Sequence, residues 1–457
     1  MQKIFQDKKV ENIYSMITSG VFYALIFSLP FERIPSIDLA IGSSSLTIRL
    51  SSVLAIVFIG LLVPLLWSRR KIALQMPYIG LLVFLFVYFL SMGLSIDFSR
   101  SAMVFGFTVL TMLTAVSVAQ YVTPGRLHMM KQMLYWATWI VVIFGYYQYF
   151  GDLLGLSTAW TGLRADYTKV VFGFPRIQST GLEPLYYANF LLIPFFIFAA
   201  DFLKGNKERK FLLIAIATQV ALSVSRGAYA GAILGLAILL VLGVKAKVKW
   251  QQFAGLGAML ILSVVLALFM TTLEFKNDKN TGTTGEKKTD AIVAQATNFD
   301  TQDDRDRNRS LAVQAFSSAP IFGIGPGGFD QYAREQAPIY VVTHGRIIVN
   351  NEPLEILAEG GILAFASLAV TMLWIVWQAV SAAWRGKGVP GAWPWLAGLV
   401  CYLAALVVQY QTFSTLYIMH VWVVIGILIG VTKLSSGQSV AGKRRGSKKL
   451  ARSSSRK

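Results

Sequence analysis

Long apolar stretches alternate with short polar connections through most of this chain. Each stretch is close to the length that a helix needs to cross a hydrocarbon core of roughly 30 Å. Helices satisfy their own backbone hydrogen bonds, so they are the expected form of such segments in lipid. The pattern predicts an all-α polytopic membrane protein with about twelve transmembrane helices, at 13–30, 46–67, 76–95, 101–122, 129–150, 183–203, 209–224, 227–244, 250–273, 354–380, 392–410 and 413–432.

One long polar insert interrupts this pattern between the ninth and tenth predicted spans. Its first part is a polar low-complexity run that has no apolar core of its own. Later in the insert, an amphipathic helix is predicted from the spacing of Leu311, Ala312, Ala315 and Phe316. We therefore expect four regions: transmembrane helices with an outer loop at 151–182 (1–273), a partly helical extracytoplasmic loop (274–353), three further transmembrane helices (354–432), and a basic disordered cytoplasmic tail (433–457).

Charge sets the expected orientation of these segments. Lysine and arginine concentrate at both termini and in alternate connections, whereas the other connections are balanced or acidic. The positive-inside rule therefore places both termini in the cytoplasm and the insert on the outer face. Only 14% of the residues are charged, against about 25% in soluble proteins. The strongly basic tail, which contributes to the net charge of +19, is interpreted as solvated or as facing lipid headgroups, and no nucleic acid is expected.

An arginine lies inside the apolar stretch 211–244, which is too long for one span and short for two. Basic clusters flank both ends, so an even number of crossings must lie between them. Arg226 is therefore predicted at an outer break between two helices, next to Ser225 and Gly227. An arginine near the bilayer centre costs roughly 2.5–3.5 kcal/mol. Snorkelling to headgroups is the alternative interpretation, but the small neighbours favour a place in a cavity.

Metal or cofactor chemistry finds little support in the sequence. The chain has one cysteine, its three histidines are far apart, and Asp303, Asp304 and Asp306 alternate with arginines. We therefore predict no metal site and no cofactor. The outer face instead offers guanidinium groups, which bind phosphate oxygens bidentately and favour a lipid diphosphate as ligand. The predicted diphosphate ligands are Arg176, Arg226, Arg305 and Arg309.

Four motifs follow one another on the predicted outer side. They are PRIQSTGLEPLYYANFL, the break SRGAYAG, the glycine turn PIFGIG with Arg305 fifteen residues before its proline, and VNNEPLEILAEGGILA. Together they resemble the O-antigen ligase and O-antigen polymerase superfamily of bacterial membrane glycosyltransferases. The resemblance implies transfer of a glycan from undecaprenyl diphosphate to an acceptor at the outer face of the bacterial inner membrane. It also implies that Arg226 and Arg305 act on the diphosphate, with Arg309 where the family usually has an aromatic residue.

The fourth motif departs from the family pattern at its first position. Asn350 stands where the family has a histidine that is often proposed to act on the acceptor hydroxyl. An amide is not a general base near neutral pH. Either Glu352 or His344 takes this task, or deprotonation is late because the diphosphate is a good leaving group. Glu183, Asn350 and Asn351 are expected to position the acceptor.

The nature of the acceptor stays open. A growing glycan (polymerase) is slightly preferred to a lipid core (ligase) or a protein side chain (protein O-oligosaccharyltransferase). A transporter of polysaccharide or lipid-linked sugar is the alternative from another class. It predicts two repeated halves with interrupted helices at mid-membrane, whereas this chain has one insert on one side.

Overall fold

The structure is a computed structural model that describes residues 8–33, 35–41, 44–69, 76–273, 300–336, 347–386, 389–414 and 416–454. Within these ranges the elements follow one another in this order: α1 (Lys8–Ser28), β1 (Ser36–Ile41), β2 (Ser44–Arg49), α2 (Leu50–Arg69), α3 (Met76–Gly93), α4 (Phe98–Tyr121), α5 (Leu127–Leu153), α6 (Thr158–Thr161), α7 (Lys169–Phe172), α8 (Pro184–Leu203), α9 (Lys210–Leu222), α10 (Arg226–Lys245), α11 (Trp250–Thr272), α12 (Asp300–Ser318), α13 (Phe329–Gln336), α14 (Glu352–Arg385), α15 (Ala392–Gln409) and α16 (Met419–Ser454).

Every predicted span overlaps one of these helices. In the described part of the chain, nine helices are long and apolar enough to cross a membrane: α1, α3, α4, α8, α10, α11, α14, α15 and α16. Two shorter apolar helices, Leu50–Leu66 and Lys210–Leu222, occupy further predicted spans, and α5 occupies the remaining one. The helices are those of a polytopic membrane protein, and the number of twelve crossings remains a prediction.

α8 lies at the centre of the helical bundle. Nearly all of its residues are buried, and it packs on α15, α10, α9, α11 and α5. Small residues permit the closest of these contacts, as is usual for helices packed in a membrane. A Cβ atom at Gly398 of α15 would lie only 2.7 Å from backbone atoms of Ile197. α8 therefore forms the buried centre on which the neighbouring helices pack.

The all-α prediction has one exception. β1 and β2 form an antiparallel hairpin in which Ser36 pairs with Arg49. The second predicted span consequently begins at Leu50 and not at 46. The sequence SSLTIR alternates polar and apolar residues and contains β-branched side chains, which favour a strand in this segment.

The insert contains the amphipathic helix that the sequence predicts. Leu311, Ala312 and Ala315 of α12 are buried and Phe316 is partly buried. With Ile324, Phe329, Ala333, Val349 and Ala358 the buried residues of α12 form a small apolar cluster separate from the main core. The described part of the insert is therefore packed onto the start of α14.

The division of the chain into four regions stays a prediction in most respects. α16 runs to Ser454, so a helix extends through most of the tail that we expected to be disordered. No proline interrupts this stretch, and its alanine, lysine and arginine residues are good helix formers.

Candidate active site

The predicted break before Arg226 is present in the structure. α9 ends at Leu222, and Ser225 caps α10 by accepting a hydrogen bond from the Ala228 backbone N–H at 3.4 Å. Between them Val224 has a φ of 50°, a left-handed conformation that is unusual for a β-branched residue. Arg226 is exposed as the first residue of α10. Its side chain therefore starts at a helix N-terminus, where the backbone dipole also favours an anion.

Arg176 stabilises this break through hydrogen bonds to backbone carbonyls. Its Nε and Nη2 atoms both donate to the Ser223 carbonyl at 3.2 Å, and Nη2 also donates to the Val224 carbonyl at 3.2 Å. The guanidinium carbon lies 5.5 Å from the centre of the Tyr167 ring. Burial lowers the pKa of Arg176, while Tyr167, Tyr229 and Glu183 act in the opposite direction. Arg176 thus holds backbone carbonyls next to Arg226, and we assign it a positioning role.

Arg305 lies within electrostatic range of the break. Burial is the main cause that lowers the pKa of Arg305, followed by the positive charges of Arg226 and Arg309, while Glu183 raises it. Among the described residues the Arg305 side chain has no hydrogen bond or ion pair. Arg305 is half-buried and thus interacts electrostatically with Arg226 at the start of α10 and with Arg309 on α12. Such a group of cations favours a ligand that carries more than one negative charge.

Arg309 connects α12 to the loop that precedes α16. Its Nη2 donates to the Gln411 carbonyl at 2.8 Å, and its Nη1 lies 3.3 Å from Asp306 Oδ1. The Gln411 side chain in turn accepts a hydrogen bond from Asn351 Nδ2 at 3.1 Å. Arg309 and Asn351 are thus tied to the same residue, which fixes α12 relative to the start of α14.

The acidic candidates differ in their surroundings. Glu183 precedes α8, has a side chain that is 43% exposed, and lies 3.7 Å from Arg164. It also interacts electrostatically with both Arg176 and Arg305. Glu352 is buried, and its backbone N–H donates to the Tyr410 carbonyl at 2.9 Å. Glu183 is therefore the carboxylate that the structure places beside the arginines.

The two asparagines of the fourth motif have structural tasks. Asn350 has a φ of 56°, and its N–H donates to Ser414 Oγ at 3.1 Å. Asn, Asp and His are the non-glycine residues most often found in this left-handed region. Asn351 caps α14 by accepting from the Leu354 N–H at 3.1 Å. The motif position thus requires a residue that tolerates positive φ. His344, the other base candidate, lies outside the described residues.

The glycine turn docks directly on the start of α14. Gly361 breaks α14 with φ 67° and ψ −174°. There the Ile362 N–H donates to Pro320 at 2.9 Å, and the Ile324 N–H donates to Ala358 at 2.9 Å. A Cβ at Gly361 would lie 2.3 Å from the Ile321 carbonyl oxygen. The third and fourth motifs therefore meet backbone to backbone, and the glycines are required for this close approach.

An apolar cavity extends from Arg226 between the helices. It has a volume of about 560 Å³ and is lined by residues of α8, α9, α10 and α11. It exists because α9 packs mainly on α11 while α10 packs mainly on α15, so the two helices diverge. Arg226 is the one charged residue among the described residues that line it. A charged group thus lies on the wall of a cavity whose apolar lining suits a hydrocarbon chain.

The remaining polar groups do not form a metal site. No group of three or more His, Cys, Asp or Glu side chains that could hold a metal ion occurs in the described ranges. His420 is buried, as its place in an apolar span suggests, with Nδ1 2.7 Å from Glu32 Oε1 and Nε2 2.8 Å from Asn189 Oδ1. Asn189 also accepts from the Tyr402 hydroxyl at 3.0 Å and donates to Gln409 at 3.2 Å.

Comparison with known proteins agrees with this assembly of motifs. Residues 211–369 match the family model described as O-antigen ligase. Over this range the chain is similar to the O-antigen ligase family. The match includes the break at Arg226, the helix with Arg305, the glycine turn and the start of α14, so the resemblance seen in the motifs is confirmed. No curated protein matches the chain.

This similarity supports a role in glycosyl transfer for surface polysaccharides, with a lipid-linked glycan as donor in general. Residues outside the matched range complete the candidate site, because Arg176 and Glu183 lie before it. Sequence reasoning found these two residues but not Gln411 or the Glu32–His420–Asn189 group. The one signal for the latter was an acidic residue directly after the first apolar run.

Proposed function

We propose that the protein is an inverting, metal-independent glycosyltransferase at the outer face of the bacterial inner membrane. The donor is an oligosaccharide or polysaccharide on undecaprenyl diphosphate, and the acceptor is a hydroxyl group. The observation that carries the proposal is that Arg226, which lines the apolar cavity, lies within electrostatic range of Arg305. The diphosphate would bind the two guanidinium groups, and the first part of the polyprenyl chain would enter the cavity.

The reaction follows from this placement of charge. The acceptor oxygen forms a bond to the anomeric carbon while the bond from that carbon to the diphosphate oxygen breaks. The departing diphosphate keeps the bonding electrons, and Arg226 and Arg305 stabilise its growing negative charge. A single displacement of this kind inverts the anomeric configuration. The arginines supply the positive charge that other enzymes obtain from a metal ion.

The acceptor proton requires a destination. Glu183 is the best-supported group, because it is half-exposed and lies beside Arg305 and Arg176. Glu352 is buried, and its electrostatic neighbours include Tyr88 and Tyr410. We therefore place Glu183 ahead of Glu352 and His344 as the group that orients the hydroxyl and accepts its proton.

Reconstitution of the purified protein tests the reaction class. The protein in lipid vesicles should transfer glycan from an undecaprenyl-diphosphate-linked donor in the presence of a metal chelator. Nuclear magnetic resonance of the product should show an anomeric configuration opposite to that of the donor linkage. Retained configuration, or activity that returns only when a divalent ion is added, would contradict the proposal.

Deletion of the gene identifies the acceptor class. Glycans of a single repeat in the deletion strain indicate a polymerase, which we slightly prefer. Long chains that stay on the carrier indicate a ligase. Unaltered glycans together with unmodified protein indicate a protein O-oligosaccharyltransferase. Complementation with the Arg305→Ala variant serves as the control, because it should reproduce the deletion.

A further inference from the structure

A second pair of arginines lines a separate cavity at the end of the bundle where the glycine turn docks. This cavity of about 130 Å³ lies between β2, α2, α4 and the segment that leads into α16. Arg49 and Arg100 are on its wall, together with the hydroxyl-bearing side chains of Thr47, Ser52, Thr111 and Tyr417. No carboxylate is among the described residues that line it. The lining is therefore positive and rich in groups that bind oxygen anions.

Neither guanidinium group is neutralised by a bonded partner. In the described ranges the Arg49 and Arg100 side chains have no hydrogen bond or ion pair, and the Nε atom of each is buried. A buried charged donor without a partner is costly. A ligand with several acceptor oxygens, such as a phosphoryl group, would supply partners for both Nε donors on the wall of this cavity.

Arg100 interacts electrostatically with two carboxylates of α14, Glu355 and Glu359. Asp97 Oδ1 accepts a hydrogen bond from the Arg100 backbone N–H at 3.0 Å. Both carboxylates already accept backbone hydrogen bonds, Glu355 from Val349 at 3.3 Å and Glu359 from Phe329 at 3.3 Å. None of these three carboxylates is among the described residues that line the cavity.

One loop connects this cavity to the candidate active site. In the segment between α15 and α16, Gln411 is hydrogen-bonded to Arg309 and Asn351. Ser414 accepts from the Asn350 N–H, and Tyr417 lines the second cavity. The two sets of arginines thus lie on either side of the same short loop and the start of α14.

We propose that Arg49 and Arg100 bind the phosphoryl group of a lipid-linked acceptor while Arg226 and Arg305 bind the diphosphate of the donor. This inference rests on the proposed glycosyl transfer, because that reaction brings two membrane-anchored substrates together. Each lipid would be held by its own pair of arginines, with its reacting sugar directed toward the start of α14. The acceptor class that fits is a glycan on a lipid phosphate or diphosphate.

Equilibrium binding tests the site without requiring activity. The full-length protein in phosphatidylcholine nanodiscs is titrated with radiolabelled farnesyl diphosphate. We expect two molecules bound per chain in the wild type, one in the Arg49→Gln/Arg100→Gln variant and one in Arg226→Ala/Arg305→Ala. Retention of both sites after the Arg49→Gln/Arg100→Gln change would overturn the inference.

Two controls separate loss of charge from loss of fold. Arg49→Lys/Arg100→Lys keeps the charge and should retain measurable binding at the second site. Arg385→Gln removes an exposed arginine from the far end of α14 and should retain two sites. Thermal unfolding of every variant should match the wild type. If the double glutamine variant unfolds, each single substitution should still weaken the second site about tenfold, the usual effect of losing one charge-assisted hydrogen bond.

Two further measurements identify the source of the phosphoryl group. When phosphatidylglycerol is included in the nanodiscs, farnesyl diphosphate should still bind at two sites. If phosphatidylglycerol instead occupies the site of Arg49 and Arg100, that site binds bulk lipid and the acceptor role is overturned. In the transfer assay, Arg49→Gln/Arg100→Gln should raise the acceptor KM by about tenfold or more while donor KM and kcat stay near wild type. Binding at two sites without transfer by the wild type would refute the proposed function but not the second anion site.

Discussion

Arg176 donates to the Ser223 carbonyl from both Nε and Nη2 at 3.2 Å. This contact determines where α10, whose first residue is Arg226, begins. The carbonyls at the end of α9 lack partners within their own helix. A guanidinium group from the 151–182 loop supplies one, so that Val224 can adopt its positive φ and α10 can start afresh. An arginine predicted from sequence as a diphosphate ligand is thereby assigned to positioning another arginine.

The first prediction concerns Arg176. Arg176→Ala should lower the free energy of unfolding by roughly 1.5–3 kcal/mol, the range for hydrogen bonds to charged groups. Transfer should fall as well, because the break is no longer fixed. Binding of the donor diphosphate should weaken much less than in Arg226→Ala. Thermal unfolding together with donor titration measures both effects. If Arg176→Ala keeps native stability but no longer binds the donor, Arg176 is a diphosphate ligand after all.

The second prediction concerns Arg305. Arg305→Ala should reduce kcat by about 100-fold or more, as is typical when one donor to a developing negative charge is removed. Arg305→Lys keeps the charge but not the bidentate geometry, so its kcat should lie between those of the wild type and Arg305→Ala. Stability should stay near wild type, because the Arg305 side chain has no hydrogen bond or ion pair in the described part of the chain.

Arg385→Ala provides the matched control for Arg305. It removes an exposed arginine at the far end of α14 and should leave kcat unchanged. Equal losses in Arg385→Ala and Arg305→Ala would show that net charge matters and the position of Arg305 does not.

The sequence predicts the helices and the break more reliably than the contacts around them. Spans are recoverable because lipid requires apolar residues over a fixed length, and the break at Arg226 follows from the count of residues between two basic clusters. The partners of Arg176 and Arg309 are not recoverable, because they are backbone carbonyls 47 or more positions away. The strand at Ser44–Arg49 was missed because its polar–apolar alternation is short and adjoins an apolar span.

The third prediction concerns Asn350. Because Asn350 has a φ of 56°, Asn350→His should fold normally, whereas Asn350→Val should cost about 1–2 kcal/mol of stability. Asn350→Gly keeps the backbone conformation and removes the amide. If the amide only serves the turn, the glycine variant keeps its transfer rate. A folded but inactive Asn350→Gly variant would show that the side chain contacts the substrate.

The fourth prediction separates the two candidate proton acceptors. Glu183→Gln should lower kcat, because an amide cannot accept the proton of the acceptor hydroxyl. Glu352→Gln should keep kcat near wild type and instead lower the unfolding temperature, since Glu352 is buried. The values of kcat and of the unfolding temperature of both variants decide the matter, and an unchanged kcat in Glu183→Gln would return the task to Glu352 or His344.

The fifth prediction concerns the buried pair Glu32 and His420. Asn189 Oδ1 accepts from the Tyr402 hydroxyl while Nδ2 donates to Gln409, so His420 Nε2 must carry a hydrogen toward Oδ1. Nδ1 lies 2.7 Å from Glu32 Oε1. The pair therefore links the segment that follows α1 to the start of α16.

A double-mutant cycle measures this coupling. Removing one partner of a buried pair typically costs about 3–5 kcal/mol, so Glu32→Gln and His420→Gln should each destabilise the protein. The double variant should lose less than the sum of the two, because no charged group is left buried alone. Additive losses would show that Glu32 and His420 stabilise the fold independently. Transfer measured per folded molecule should change little, because this pair supports the helices and contacts none of the arginines.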